Sequence, residues 1–263
     1  VLLDKGPLPN PGGTTGHASN FIFPVDHSKE MTMITLDSVE QFKELGVFTE
    51  SGGIEVARTE ERMEELRRRM ASAKAWGVES HMLTPDEVVK LVPFVNKSII
   101  KGGFYTPSVG VVDSLRAGTL MREYAMEKGA LTVFPNTEIE DLVVKKGKIR
   151  AVKTNRGKIK AKYVMIACGV WSPRIAEMAG ATIPLTPAVH QMISVGPLAL
   201  MEQTSSEIEY PIVRDMDTFC YERQNGNDME VGSYAHRPIL MDANDIPSIE
   251  ESAMSPTELP FTE

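Results

Sequence analysis

The histidine in "NPGGTTGHASN", residues 10–20, is the first side chain with chemistry to offer. Gly12 and Gly13 permit positive φ and close backbone approach, and Thr14 and Thr15 add hydroxyl donors ahead of His17. Such a loop fits around a ligand, and it fits an ordinary surface turn as well. Asp4 closes the apolar run "VLL"; an acid at that place takes ribose hydroxyls in a dinucleotide-binding unit. No G-x-G-x-x-G occurs anywhere, so Asp4 by itself says little. His236 in "YAHRP" has the donor of a metal ligand but no second ligand at usable spacing, and no metal is expected. His27 and His81 belong to no motif. His190 in "PAVHQM" and Tyr221 in "FCYERQ", read alone, are an interior strand residue and a hairpin aromatic. Trp171 at a strand–helix junction and Cys168 read as packing residues.

These residues need a scaffold, and the composition supplies one. The chain has 263 residues, 42% of them hydrophobic and 24% charged, enough for a sizeable core in one large domain or two smaller ones. A net charge of −8 argues against nucleic acid as a partner. No apolar run is long enough to span a bilayer. Two cysteines, Cys168 and Cys220, make no disulfide framework, which points to a reducing compartment, cytoplasm or mitochondrial matrix.

Helical spacing of Met63, Leu66, Met70 and Ala73 predicts an amphipathic helix over 59–76. "TPDEVVKLVP" predicts a short one capped by Thr84, and "DSLRAGTLMREYAMEKG" a longer one from Asp113 to Gly129. Between 131 and 169 the period shortens to that of strands joined by Lys-Gly and Arg-Gly turns, ending in the apolar strand "YVMIACG". A glycine turn and a helix, "GVWSPRIAEMAG", come next, the order of an α/β layer. "VHQMISVG" and "TFCYERQNGNDMEVGSY" read as a strand and a hairpin turned at Asn-Gly. The opening "VLLDKG" starts inside an apolar run, and "SPTELPFTE" reads as a helix start, with Ser255 as N-cap, Pro256 at the first position and Glu258 at the third. Both suggest part of a longer chain.

"VLLDKGPLPNPGGTTGHAS" resembles the second strand and flavin loop of the amine-oxidising flavoproteins that include dimethylglycine oxidase, dimethylglycine dehydrogenase and sarcosine dehydrogenase. The likeness continues through "GVVDSLRAGTLMREYAMEKGA", "ACGVWSPRIAEMAG", "RDMDTFCYERQ" and "GSYAHRP". Two departures stand in the loop: Gly16 replaces the usual Trp or Ser before the histidine, and Ser19-Asn20 replaces a pair ending in glycine.

The resemblance implies an α/β fold, mixed α+β: an incomplete Rossmann-like FAD-binding layer and a mostly antiparallel substrate domain. It places the FAD domain at 1–28 and 107–183, the substrate domain at 29–106 and 184–241, and a truncated segment at 242–263. The layer's first strand and glycine fingerprint would lie before Val1. A further flavin-contacting segment would lie after Glu263, as would, in many members, a module binding tetrahydrofolate. The implied cofactor is FAD, either joined covalently to His17 or held with His17 as a hydrogen-bonding loop residue. Asp4, Lys5, Thr14, Thr15, Gly16, Phe21, Ile139 and Tyr221 would contact it, with Asp4 on the ribose and the Ile139 backbone toward the adenine. His190 and Tyr221 take the places of the active-site histidine and tyrosine, facing the flavin, with Met192, Phe219 and Arg223 lining or underlying the pocket. The implied reaction is oxidative demethylation of an N-methylated glycine, a small-molecule amine, with the electron acceptor open. Arg223 or Arg237 is a candidate cation for the substrate carboxylate. A non-catalytic FAD-binding relative, like the regulatory subunit of pyruvate dehydrogenase phosphatase, is the alternative.

Overall fold

The computed structural model describes residues 1–202 and 204–247. The helix start expected at Ser255, Pro256 and Glu258 lies outside them. Five α-helices occur among the described residues: α1 (Lys29–Glu44), α2 (Glu60–Ala75), α3 (Pro85–Leu91), α4 (Ser114–Glu127) and α5 (Ser172–Glu177). The Thr59 hydroxyl accepts the Arg62 amide at the start of α2, and Thr84 and Glu87 form a reciprocal capping box on α3. Each such cap contributes about 1 kcal/mol. Gly129 closes α4 at φ 68°. Helix α1 was hidden by its pattern: Met31, Met33 and Ile34 stay exposed, whereas Thr32 and Val39 are the buried positions.

The chain divides into two compact units. The first comprises Val1–Ala18, Ser114–Val189 and the described part of Pro238–Glu258. Here Leu2–Leu3 pairs in parallel with Val133–Phe134, the strand after α4. Strands Ile139–Lys145, Lys148–Thr154 and Gly157–Lys160 form an antiparallel meander. Its first turn, Lys146-Gly147, has positive φ at both positions, the geometry that suits right-twisted strands. The strand expected over "YVMIACG" is absent: residues 163–168 pair with nothing among the described residues, and Tyr163 and Met165 are each 92% exposed. An apolar run becomes a strand only when another edge takes its backbone groups. The glycine turn and helix behind it do form, as a 3₁₀ turn Gly169–Trp171 and α5.

The second unit, described over Ser19–Asp113 and His190–Arg237, is built on a seven-stranded sheet. Its strand order is Gln191–Val195, Asp228–Ser233, Cys220–Asn225, Ile212–Asp215, Gly53–Ala57, Gly102–Thr106, His81–Leu83. Neighbours are antiparallel except Ile212–Asp215 beside Gly53–Ala57. Side chains alternate across Gly53–Ala57, so Ala57 meets Met63, Leu66 and Ala73 of α2, while Ile54 and Val56 meet Val88 of α3. Each large buried side chain contributes about 1.5–3 kcal/mol. The fold class is therefore mixed α/β. No helix among the described residues is long and apolar enough to cross a membrane.

Candidate active site

One register row crosses the seven-stranded sheet: Met192, Gly232, Tyr221, Arg214, Glu55, Phe104 and Met82. Gly232 has no side chain, and the Tyr221 ring occupies the space a Cβ there would need. Leaning across it, the Tyr221 hydroxyl reaches His190 Nε2 at 3.1 Å and Ser19 Oγ at 3.0 Å. Phe21 meets the Tyr221 ring edge-on, with centroids 5.0 Å apart. Tyr234 stacks on the His190 imidazole, 4.2 Å between centroids and 12° from parallel.

Tyr221 is buried, and burial pushes its phenol pKa up; the Ser19 hydrogen bond opposes this. His190 keeps solvent access, but the burial of its ring lowers its pKa, helped by the neighbouring His236. At neutral pH the imidazole is thus uncharged and able to accept a proton. His236 donates Nδ1–H to the Arg237 carbonyl at 2.8 Å, and its buried Nε2 has no partner among the described residues.

Arg223 does not serve as a free cation. Its guanidinium is buried in a two-pronged pair with Glu230, at 2.7 and 2.9 Å. Arg237 is exposed, as is Phe219. The cation in the Tyr221 row is Arg214, whose guanidinium lies 4.9 Å over the Phe23 ring and has no carboxylate partner among the described residues. The adjacent Glu55 is already held by Arg69. Arg214, Gly232 and Tyr234 lie inside the strings that carry the resemblance and Ser19 at one of its departures, but the sequence assigned none of them a role. Only Gly232 carried a signal, since glycine inside a strand marks close approach.

In the first unit Asp4 ends its parallel strand with Oδ1 accepting the Gly6 amide at 2.8 Å. Burial raises the Asp4 pKa against the pull of that amide and of Arg122. Lys5 pairs with Glu138 at 2.9 Å, next to Ile139 at the start of its strand. Thr14–Gly16 is an exposed 3₁₀ turn whose end is His17, donating its amide to the Thr14 carbonyl at 3.2 Å. Gly13 has φ 73°, and a Cβ there would press on the Trp171 ring, so the tight loop depends on glycine. Burial pushes the Cys168 thiol up, opposed by the Ala167 backbone and helped a little by the charge of Asp4. These groups fit FAD: a strand-end carboxylate with a second oxygen for a ribose hydroxyl, and a loop of exposed donors.

A family model described as FAD dependent oxidoreductase matches residues 1–256. The chain belongs to that family. Within the FAD dependent oxidoreductases, mitochondrial sarcosine dehydrogenase of Mus musculus is 30% identical over 253 residues, covering 91% of this chain and 27% of that protein. Mitochondrial dimethylglycine dehydrogenase of Rattus norvegicus is 26% identical over 241 residues, covering 89% and 28%. L-proline dehydrogenase from P. horikoshii superposes with a TM-score of 0.75 at 25% identity, covering 84% of this chain and 60% of that one. The chain thus spans little more than a quarter of the length of these two curated relatives.

Proposed function

We propose that the protein oxidatively demethylates an N-methylated glycine, dimethylglycine or sarcosine, using FAD. The observation that carries this is the 3.1 Å contact between Tyr221 and an uncharged His190, in the same sheet row as Arg214, which has no carboxylate partner among the described residues. Such a substrate arrives as an ammonium carboxylate, and its nitrogen must lose a proton before an N-methyl C–H bond can be oxidised. His190 is the terminal proton acceptor, Tyr221 holds the nitrogen, and Arg214 takes the carboxylate through charge-assisted hydrogen bonds. Bound FAD supplies the two-electron acceptor. Asp4 and the Thr14–Gly16 turn hold it, with contributions from Lys5 and the Ile139 backbone, and His17 is its covalent attachment point. The oxidised methyl carbon is released as formaldehyde when water adds to it and its bond to nitrogen breaks, or is captured by tetrahydrofolate. The location belongs to the proposal as cytoplasm or mitochondrial matrix, and the word mitochondrial in the names of the two curated relatives supports a mitochondrial one.

The intact His190–Tyr221 pair favours catalysis over a non-catalytic FAD-binding role. The test is flavin reduction by dimethylglycine and by sarcosine across pH in Tyr221→Phe and His190→Ala. Both variants should reduce flavin more slowly, most of all at low pH, where the free amine is scarcest. Parent rates in both at every pH would make the pair structural.

A further inference from the structure

The Tyr221 hydroxyl sits between two partners, and its proton can point to only one of them. Ser19 Oγ, at 3.0 Å, also lies 3.2 Å from Met192 Sδ, and it too has a single proton to give. A thioether is a weak acceptor beside a phenol oxygen, so the Ser19 proton goes to Tyr221. The phenol oxygen, thus occupied, directs its own proton to His190 Nε2 at 3.1 Å. The imidazole then carries its hydrogen on Nδ1. Ser19 is 8% and Tyr221 4% exposed, so protein groups supply most of the partners of these side chains. The backbone holds Ser19 in place: the next residue, Asn20, turns at φ 54°, and its carbonyl accepts the Val112 amide at 3.0 Å.

We propose that Ser19 is a positioning residue that sets the direction of a hydrogen-bond chain, Ser19 to Tyr221 to His190, along which the substrate ammonium proton reaches the imidazole. The proposal rests on the demethylation reading. In the step, the ammonium N–H proton passes to the Tyr221 oxygen as the Tyr221 proton passes to His190 Nε2. The amine becomes neutral, the imidazole takes the positive charge, and the phenol ends as it began. Ser19 supports the phenol oxygen while the two protons cross. The other titratable and charged groups facing Tyr221 are Tyr234, Glu230 and Arg223, the last two neutralising each other, and Arg214, its register partner on the next strand; His190 also faces His236. With Ser19 removed, the phenol is free to turn and accept from an Nε2–H imidazole, which reverses the chain.

Long-range proton–nitrogen NMR of the full-length protein reads the His190 tautomer directly, with no need of turnover. The parent should show Nδ1–H, Ser19→Ala should gain Nε2–H, and Ser19→Thr, which keeps the hydroxyl, should resemble the parent. In the FAD-loaded protein, Ser19→Ala should slow flavin reduction by dimethylglycine about tenfold at low pH, with Ser19→Thr restoring it. An Nε2–H imidazole in the parent overturns the chain's direction, and an unchanged tautomer in Ser19→Ala overturns the role of Ser19. A changed tautomer with parent-rate reduction overturns the proton passage. Failure of the demethylation reading shows separately, as no flavin reduction by dimethylglycine or by sarcosine in the FAD-loaded parent.

Discussion

The Tyr221 ring lies across Gly232, its register partner on the next strand, in the space where any side chain at 232 would begin. That is why a buried phenol can lean far enough to meet His190 and Ser19 together.

Gly232→Ala should therefore displace the phenol. Overpacking of this kind costs about 1–3 kcal/mol, read as a lower urea midpoint. It should also slow flavin reduction in the way Tyr221→Phe does. A variant with parent stability and parent kinetics would show that the ring does not depend on this gap.

Arg223 and Glu230 form a buried pair, and removing one partner strands the other charge. Arg223→Met should cost about 3–5 kcal/mol, whereas Arg223→Met combined with Glu230→Met should recover most of it. Denaturant unfolding of the two variants makes the comparison. Equal losses in both would argue that Arg223 has a role outside the pair.

Arg214 behaves differently if it takes the substrate carboxylate. Arg214→Met should raise the KM for dimethylglycine by about tenfold or more, with a smaller change in kcat, since one charge-assisted hydrogen bond is worth about 1.5–3 kcal/mol. Steady-state kinetics on the FAD-loaded protein would show it. An unchanged KM would leave the carboxylate to another cation.

Glu222 gives a pH signature. Burial, reinforced by the negative Asp215 and opposed by Arg58, pushes its carboxyl up from an ordinary 4.5 to about 7. Between those values the folded state holds a proton that the unfolded state has released. The contribution is therefore complete below pH 4.5 and is lost as pH rises toward 7. Glu222→Gln should remove that loss, so its stability advantage over the parent should grow between about pH 5 and pH 8 in urea titrations. A constant difference would mean that Glu222 titrates normally.

His17 is exposed at the end of the Thr14–Gly16 turn, accessible for attachment to a cofactor. If FAD is joined there, the yellow colour of the full-length protein should stay with the acid precipitate, and His17→Ala should release it to the supernatant. Colour lost from the parent under acid would make the flavin non-covalent.

The helices and turns with local causes were legible in the sequence. Thr59 and Thr84 cap the helices that begin after them, because a hydroxyl three residues from an amide needs no distant partner. Lys146-Gly147 turns its hairpin for a reason held within two residues. The resemblance named His190 and Tyr221 each as a site residue; that their side chains meet each other, at 3.1 Å, is a contact of the fold.

Tertiary structure decided everything that depends on a partner. "YVMIACG" has a strand's composition, but pairing is a property of two segments, and residues 163–168 find no partner among the described residues. Arg223 and Arg214 look alike in sequence; the strand register gives Glu230 to the first and leaves the second over Phe23, with no carboxylate among the described residues. Ser19 and Tyr221 are 202 positions apart, and no periodicity reaches that far. Sequence by itself determined the local elements and the family's residue types, because backbone propensity and capping act over a few residues. The fold alone decided which of those residues meet, because burial, charge pairing and hydrogen-bond direction are set by neighbours distant in the chain.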